Sequence, residues 1–116
     1  MASRVAPAMR SFDFRSEEEF KDKGKSILLE WSPRLIGRSF HVRVHRRGGR
    51  HELRTPDVER FFDDAILEAT ATAGQSGKIS FTDPDAVIAV DTVDDRAGVA
   101  LWTREDLARH RLLRPG

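Results

Sequence analysis

The sequence predicts a single layered α/β domain in which helices pack on a mixed, mostly parallel sheet built around a βαβ unit. Three observations carry that expectation. The chain has 116 residues, the size of one autonomous domain. Apolar residues recur at helical spacing over residues 20–31 and 58–73, and with a period of two over residues 40–46. These are the signatures of two amphipathic helices and a half-buried strand. A nearly continuous apolar run at residues 86–90 then suits a sheet that needs helices over it.

The elements follow in order. Residues 1–15 show neither period and are expected to form a flexible N-terminal tail, with the domain proper over residues 16–114. Ser16-Glu17-Glu18-Glu19 matches a capping box with acids in the first turn. Phe20, Gly24, Ile27, Leu28 and Trp31 continue it as one apolar face, and Pro33 stops the helix. Phe40, Val42 and Val44 alternate with His41, Arg43 and His45, and Gly48-Gly49 end that strand. Thr55 and Pro56 open a second helix whose stripe is Val58, Phe61, Phe62, Ala65, Ile66, Ala69 and Ala73, with Gly74 as its stop and Asp63, Asp64 and Glu68 facing outward. Residues 78–81 read as a short strand before the turn Thr82-Asp83-Pro84-Asp85. The run Ala86-Val87-Ile88-Ala89-Val90 reads as a strand buried on both faces, and residues 99–102 return beside it after a turn at residues 94–98. Thr103 caps a last, basic helix.

Composition removes several function classes. With no cysteine, disulfides, thiolate zinc sites, iron–sulfur clusters and cysteine catalysis are excluded, and a cytoplasmic protein is the simplest reading. No apolar run approaches the roughly 18–20 residues of a membrane-spanning helix. The net charge of +1 hides a strong asymmetry. Residues 37–54 carry Arg38, Arg43, Arg46, Arg47, Arg50 and Arg54 against Glu52 alone, while residues 55–98 carry ten acidic and three basic groups. A concentrated basic segment points to a polyanionic partner.

Catalytic and metal chemistry find little support. His41 and His45 share a strand face but stand roughly 13 Å apart, at about 3.3 Å per residue, too far to chelate one ion. Asp63 and Asp64 read as a solvated helix face, and Asp83, Asp85, Asp94 and Asp95 occupy turns, where aspartate is commonplace. No nucleophile elbow, P-loop, dinucleotide fingerprint or H-E-x-x-H occurs. No enzyme activity, cofactor or metal is therefore expected. The basic segment remains. Arg43 projects from the strand, and Arg46, Arg47 and Arg50 surround Gly48-Gly49. Guanidinium forks suit phosphate oxygens and glycine admits close backbone approach. Taken alone, the run fits a solvated edge paired with the acidic segment equally well. Spacing singles out no aromatic side chain for base stacking.

The stretch Ser39-Phe40-His41-Val42-Arg43-Val44-His45-Arg46-Arg47-Gly48 resembles the F-x-V-R-x-x-R-R-G strand and turn of THUMP domains. The resemblance continues, in the family's order, through Pro56-Asp57-Val58-Glu59-Arg60, Ile79-Ser80-Phe81, Thr82-Asp83-Pro84-Asp85, Val87-Ile88-Ala89-Val90 and Ala97-Gly98-Val99-Ala100-Leu101. It implies an RNA-binding module of the kind that accompanies tRNA- and rRNA-modifying enzymes and holds the tRNA acceptor end. Carried over by position, Arg43, Arg46 and Arg47 become phosphate-binding candidates and Gly48 and Gly49 shape the turn; Arg50 joins them from the charge pattern. Because no catalytic domain is recognised, the expectation is a stand-alone, non-catalytic accessory protein that presents tRNA to a separate RNA-modifying subunit, without a membrane. The rival is a protein-interaction or homo-oligomerisation module that sets the basic strand–turn against an acidic surface.

Overall fold

Non-local strand pairing organises the computed structural model, which describes residues 8–47 and 55–106. The elements are β1 (Ala8–Asp13), α1 (Glu17–Trp31), a 3-10 turn (Ser32–Leu35), β2 (Ser39–Arg47), α2 (Thr55–Thr72), β3 (Lys78–Ile79), β4 (Ala86–Val93) and β5 (Arg96–Thr103). They form one five-stranded sheet in the order β1-β5-β4-β2-β3. β2 runs parallel to β3 and β4, whereas β5 is antiparallel to β4 and β1. The sheet is therefore mixed, and β2-α2-β3 is the expected βαβ unit.

Helix α1 forms as its sequence dictates. The Ser16 side chain accepts from the Glu19 N–H at 3.1 Å, and the Glu19 carboxylate reaches back to the Arg15 N–H at 2.6 Å. Its buried face is Phe20, Gly24, Ile27, Leu28 and Trp31, the stripe read from spacing. On α2 the fully buried line is Val58, Phe62, Ile66 and Thr70, with Phe61, Ala65 and Ala69 half-buried beside it. Thr70 is polar, yet its hydroxyl is satisfied: it donates to the Ile66 carbonyl at 2.8 Å and accepts from the Gly77 N–H at 2.9 Å. That pair of bonds ties the end of α2 to the start of β3.

Both helices lie on one face of the sheet. Phe40 and Val42 of β2, Ala86, Ile88 and Val90 of β4, and Ala97, Val99 and Leu101 of β5 join α1 and α2 residues in a single core. Register places all of these sheet residues on the same side. Neither α1 nor α2 covers the other side, called the outer face below.

Three expectations are corrected. Residues 8–13, assigned to a flexible tail, form β1, pairing Ala8 with Leu101 through to Asp13 with Arg96. Phe14 follows, 1% exposed, its ring 5.0 Å from that of Phe20, and its N–H donates to the Asp95 carbonyl at 2.8 Å. The partner strand lies more than eighty residues away, so no local period announces the pairing. Second, β4 is not buried on both faces: Val87 and Ala89 are half-buried while Ala86, Ile88 and Val90 are buried, because the helices occupy one side only. Third, Asp63 does not face solvent freely. It is half-buried, and its Oδ1 is buried without a hydrogen-bond partner among the described residues. Elsewhere the differences are of length. β3 stops at Ile79, and the β4–β5 turn narrows to Asp94-Asp95, with Asp94 at φ 52, a conformation that aspartate tolerates.

Candidate nucleic-acid interface

β2 sorts its polar side chains by parity. Register sets His41 beside Val87, Arg43 beside Ala89 and His45 beside Asp91 on the outer face. Arg43 and His45 are exposed, and neither makes a hydrogen bond or ion pair among the described residues. Arg46 pairs in register with Thr92 and so points to the helix-bearing side, exposed but engaged within the fold. The candidate arginines Arg43 and Arg46 thus stand on opposite faces of one strand end. Arg47 is the last residue of β2, in register with Val93. The remaining candidates, Gly48, Gly49 and Arg50, lie outside the described residues.

The strand edge is held by an acid. Beyond Phe40, β3 no longer pairs with β2, and the Val44 N–H on that edge donates to Glu59 Oε2 of α2 at 2.8 Å. This interaction fixes α2 against the middle of β2 and satisfies a backbone donor that would otherwise be orphaned. Partial burial holds the His41 imidazole below the ordinary histidine range; Arg43 pushes the same way and Glu59 opposes both. The imidazole is perpendicular to the Phe81 ring, centroids 4.6 Å apart and planes at 86°. Phe81 belongs to no amphipathic stripe, and no signal in the sequence separates it from the core phenylalanines.

The turn carboxylates are structural. Arg104 donates to Asp83 Oδ1 at 3.1 Å and to Asp85 Oδ1 at 3.1 Å. Asp85 also accepts from the Ser39 N–H through Oδ2 at 3.1 Å, and the Ser39 N–H and Arg104 hold its carboxyl below the usual carboxylate range. These contacts lock the end of β5 to the starts of β2 and β4. Beside them opens a groove of about 710 Å³ lined by Pro33, Arg34, Leu35, Arg38, Leu101 and Arg104 among others. It sits at the opposite end of β2 from Arg46. Thr103 and Asp106 cap each other through Oγ1 and Oδ2 contacts of 3.0–3.2 Å; the rest of the expected last helix lies outside the described residues. Among the described residues, no three His, Asp or Glu side chains are grouped so as to hold a metal, and no helix is long and apolar enough to cross a membrane.

Comparison with known proteins gives this arrangement a family. The profile of the THUMP domain matches residues 14–101. A tRNA sulfurtransferase of Citrobacter koseri is 31% identical over 100 residues, an overlap of 77% of this chain and 20% of the relative. The chain therefore spans about a fifth of that relative's length. The same fold recurs in PH1313 from Pyrococcus horikoshii, with a TM-score of 0.61, 11% identity and coverage of 82% of this chain and 31% of that one. It recurs also in a 4-thiouridine synthetase crystallised with RNA and ATP, with a TM-score of 0.57, 17% identity and coverage of 78% and 23%. A family match over most of the chain, carried on the same strand and helix order, makes this chain a member of the THUMP domain family.

Proposed function

We propose that this THUMP domain binds structured RNA, tRNA in particular, and acts in the cytoplasm as a non-catalytic accessory that presents the RNA to a separate modifying enzyme. The observation that carries the reading is Arg43, an exposed guanidinium with no hydrogen bond or ion pair among the described residues, on the strand that the family match covers. It stands in a segment with six arginines and one acid. A guanidinium left free on a strand can grip phosphate oxygens through its planar fork. Such contacts set register on the backbone without reading bases, so recognition rests on the shape of the RNA. The tRNA sulfurtransferase relative supports tRNA as the substrate class.

Binding to labelled tRNA at a series of salt concentrations tests the proposal. Neutralising about three or four phosphates gives a slope of about −2 to −3 in log K against log salt, at about −0.7 per phosphate for single strands. Arg43→Glu should weaken binding and flatten the slope without disturbing the fold, because Arg43 is exposed and makes no hydrogen bond or ion pair among the described residues. The triple change of Arg43, Arg46 and Arg47 to glutamate should abolish binding. Salt-insensitive binding, or none, refutes the reading. Salt-sensitive self-association without RNA affinity supports the oligomerisation module instead.

A further inference from the structure

We infer that the exposed Phe81 ring is a stacking surface for an unpaired nucleobase of the bound RNA; the inference rests on the RNA-binding reading and deepens it. Phe81 stands apart from every other phenylalanine in the chain. The sequence has seven; six are buried or half-buried in the core, and Phe81 is 72% exposed. A large exposed aromatic side chain loses the benefit of burial, and Phe81 does not join the core cluster of the described residues. The ring is nevertheless positioned. Its perpendicular contact with His41 at 4.6 Å and the backbone bond from the Ser80 N–H to the Phe40 carbonyl at 2.9 Å hold it beside the β2 edge. A ring placed before binding needs little ordering when a base arrives.

Its surroundings name the occupant. His41 shares the outer face with Arg43, two residues along β2. Lys78, opposite Ser39 in register, lies on the same side. Lys78 and Arg43 are exposed and make no ion pair among the described residues. An aromatic surface flanked by unpaired cations matches a nucleotide: base on the ring, phosphate on the charges. An apolar protein segment would need those cations desolvated without acidic partners, which disfavours it. A paired base has no free face inside a duplex, so the ligand is a single-stranded nucleotide.

The test compares two RNA hairpins of one stem, with and without a single-stranded overhang, by fluorescence anisotropy on the full chain. Removing one base–aromatic stack should weaken overhang binding roughly five- to 150-fold. Phe81→Ala should show that loss on the overhang hairpin, leave the blunt hairpin unchanged and keep the salt slope. Phe81→Trp should restore tight binding. Because Phe81 is mostly exposed, neither change threatens folding. Unchanged overhang affinity in Phe81→Ala, or an equal loss on both hairpins, overturns the inference. If the wild type binds with salt sensitivity that Arg43→Glu reduces while Phe81→Ala is silent, only the stacking surface fails. If the wild type binds neither hairpin, the RNA-binding reading fails with it.

Discussion

Replacing Gly24 with alanine should destabilise the protein, the reverse of what helix propensity alone gives. In a helix interior, alanine is favoured over glycine by about 0.8–1 kcal/mol. Gly24, however, sits on the buried face of α1. A Cβ there would meet Phe62 Cζ at 2.7 Å and Cε1 at 3.0 Å. Ordinary contact would require a separation of roughly 3.5–4 Å, so the ring or the helix must shift. Phe62 has little room: it is 0% exposed, with the Phe20 ring 5.8 Å and the Phe61 ring 5.6 Å from its own. Overpacking of this kind costs about 1–3 kcal/mol, leaving a net loss of about 1 kcal/mol after the propensity gain. Urea unfolding should show a midpoint lower by roughly 0.5–1 M with an unchanged slope. In a Phe62→Leu background the clash disappears and the same change should stabilise by about 1 kcal/mol, a coupling of about 2 kcal/mol. A higher midpoint for Gly24→Ala in the wild type, or additivity of the two changes, would refute the close approach of α1 and α2.

Two further outcomes follow from the same packing. Burial first, then Glu59 and Asp64, push the Asp63 carboxyl from its ordinary 3.8 up to about 6. A group with a raised folded value contributes fully below its unfolded value and loses that contribution as pH rises through about 6. Ionised Asp63 therefore costs stability at neutral pH; discounted for its half-exposed setting, the cost is about 1 kcal/mol. Asp63→Asn should raise stability by that amount at pH 7.5 and little at pH 4, read from urea midpoints; an equal effect at both values contradicts the assignment. Phe14→Ala should cost about 3–5 kcal/mol, the usual loss for a buried phenylalanine, whereas a loss below about 0.5 kcal/mol, ordinary for a surface change, would mean that β1 and its sequel are dispensable.

Much of the fold was legible because its signals are local. The stripe from Phe20 to Trp31 and the alternation from Phe40 to Val44 each lie within one element, and each is buried as its period requires. β1 was not legible, since its evidence is an alternation of Phe12 and Phe14 too short to read and a partner across the whole chain. Asp63 was misplaced for a different reason: a helical period locates the centre of a buried face but not the width of the arc that the sheet and α1 together cover. At the site, exposure of Arg43 was readable from the period of two. The same period sets Arg46 on the opposite face, so charge density along the sequence overstated how many arginines share one surface. Phe81 carried no periodic signal at all, and only its 72% exposure distinguishes it.

The most direct measurement maps tRNA contacts on the isotopically labelled chain by amide chemical-shift perturbation. The proposed interface requires the largest changes at residues 41–46 of β2 and at residues 78–81, with α1 and the groove beside Arg34, Arg38 and Arg104 near their free positions. Perturbations centred on that groove or on α1, with β2 silent, would contradict it.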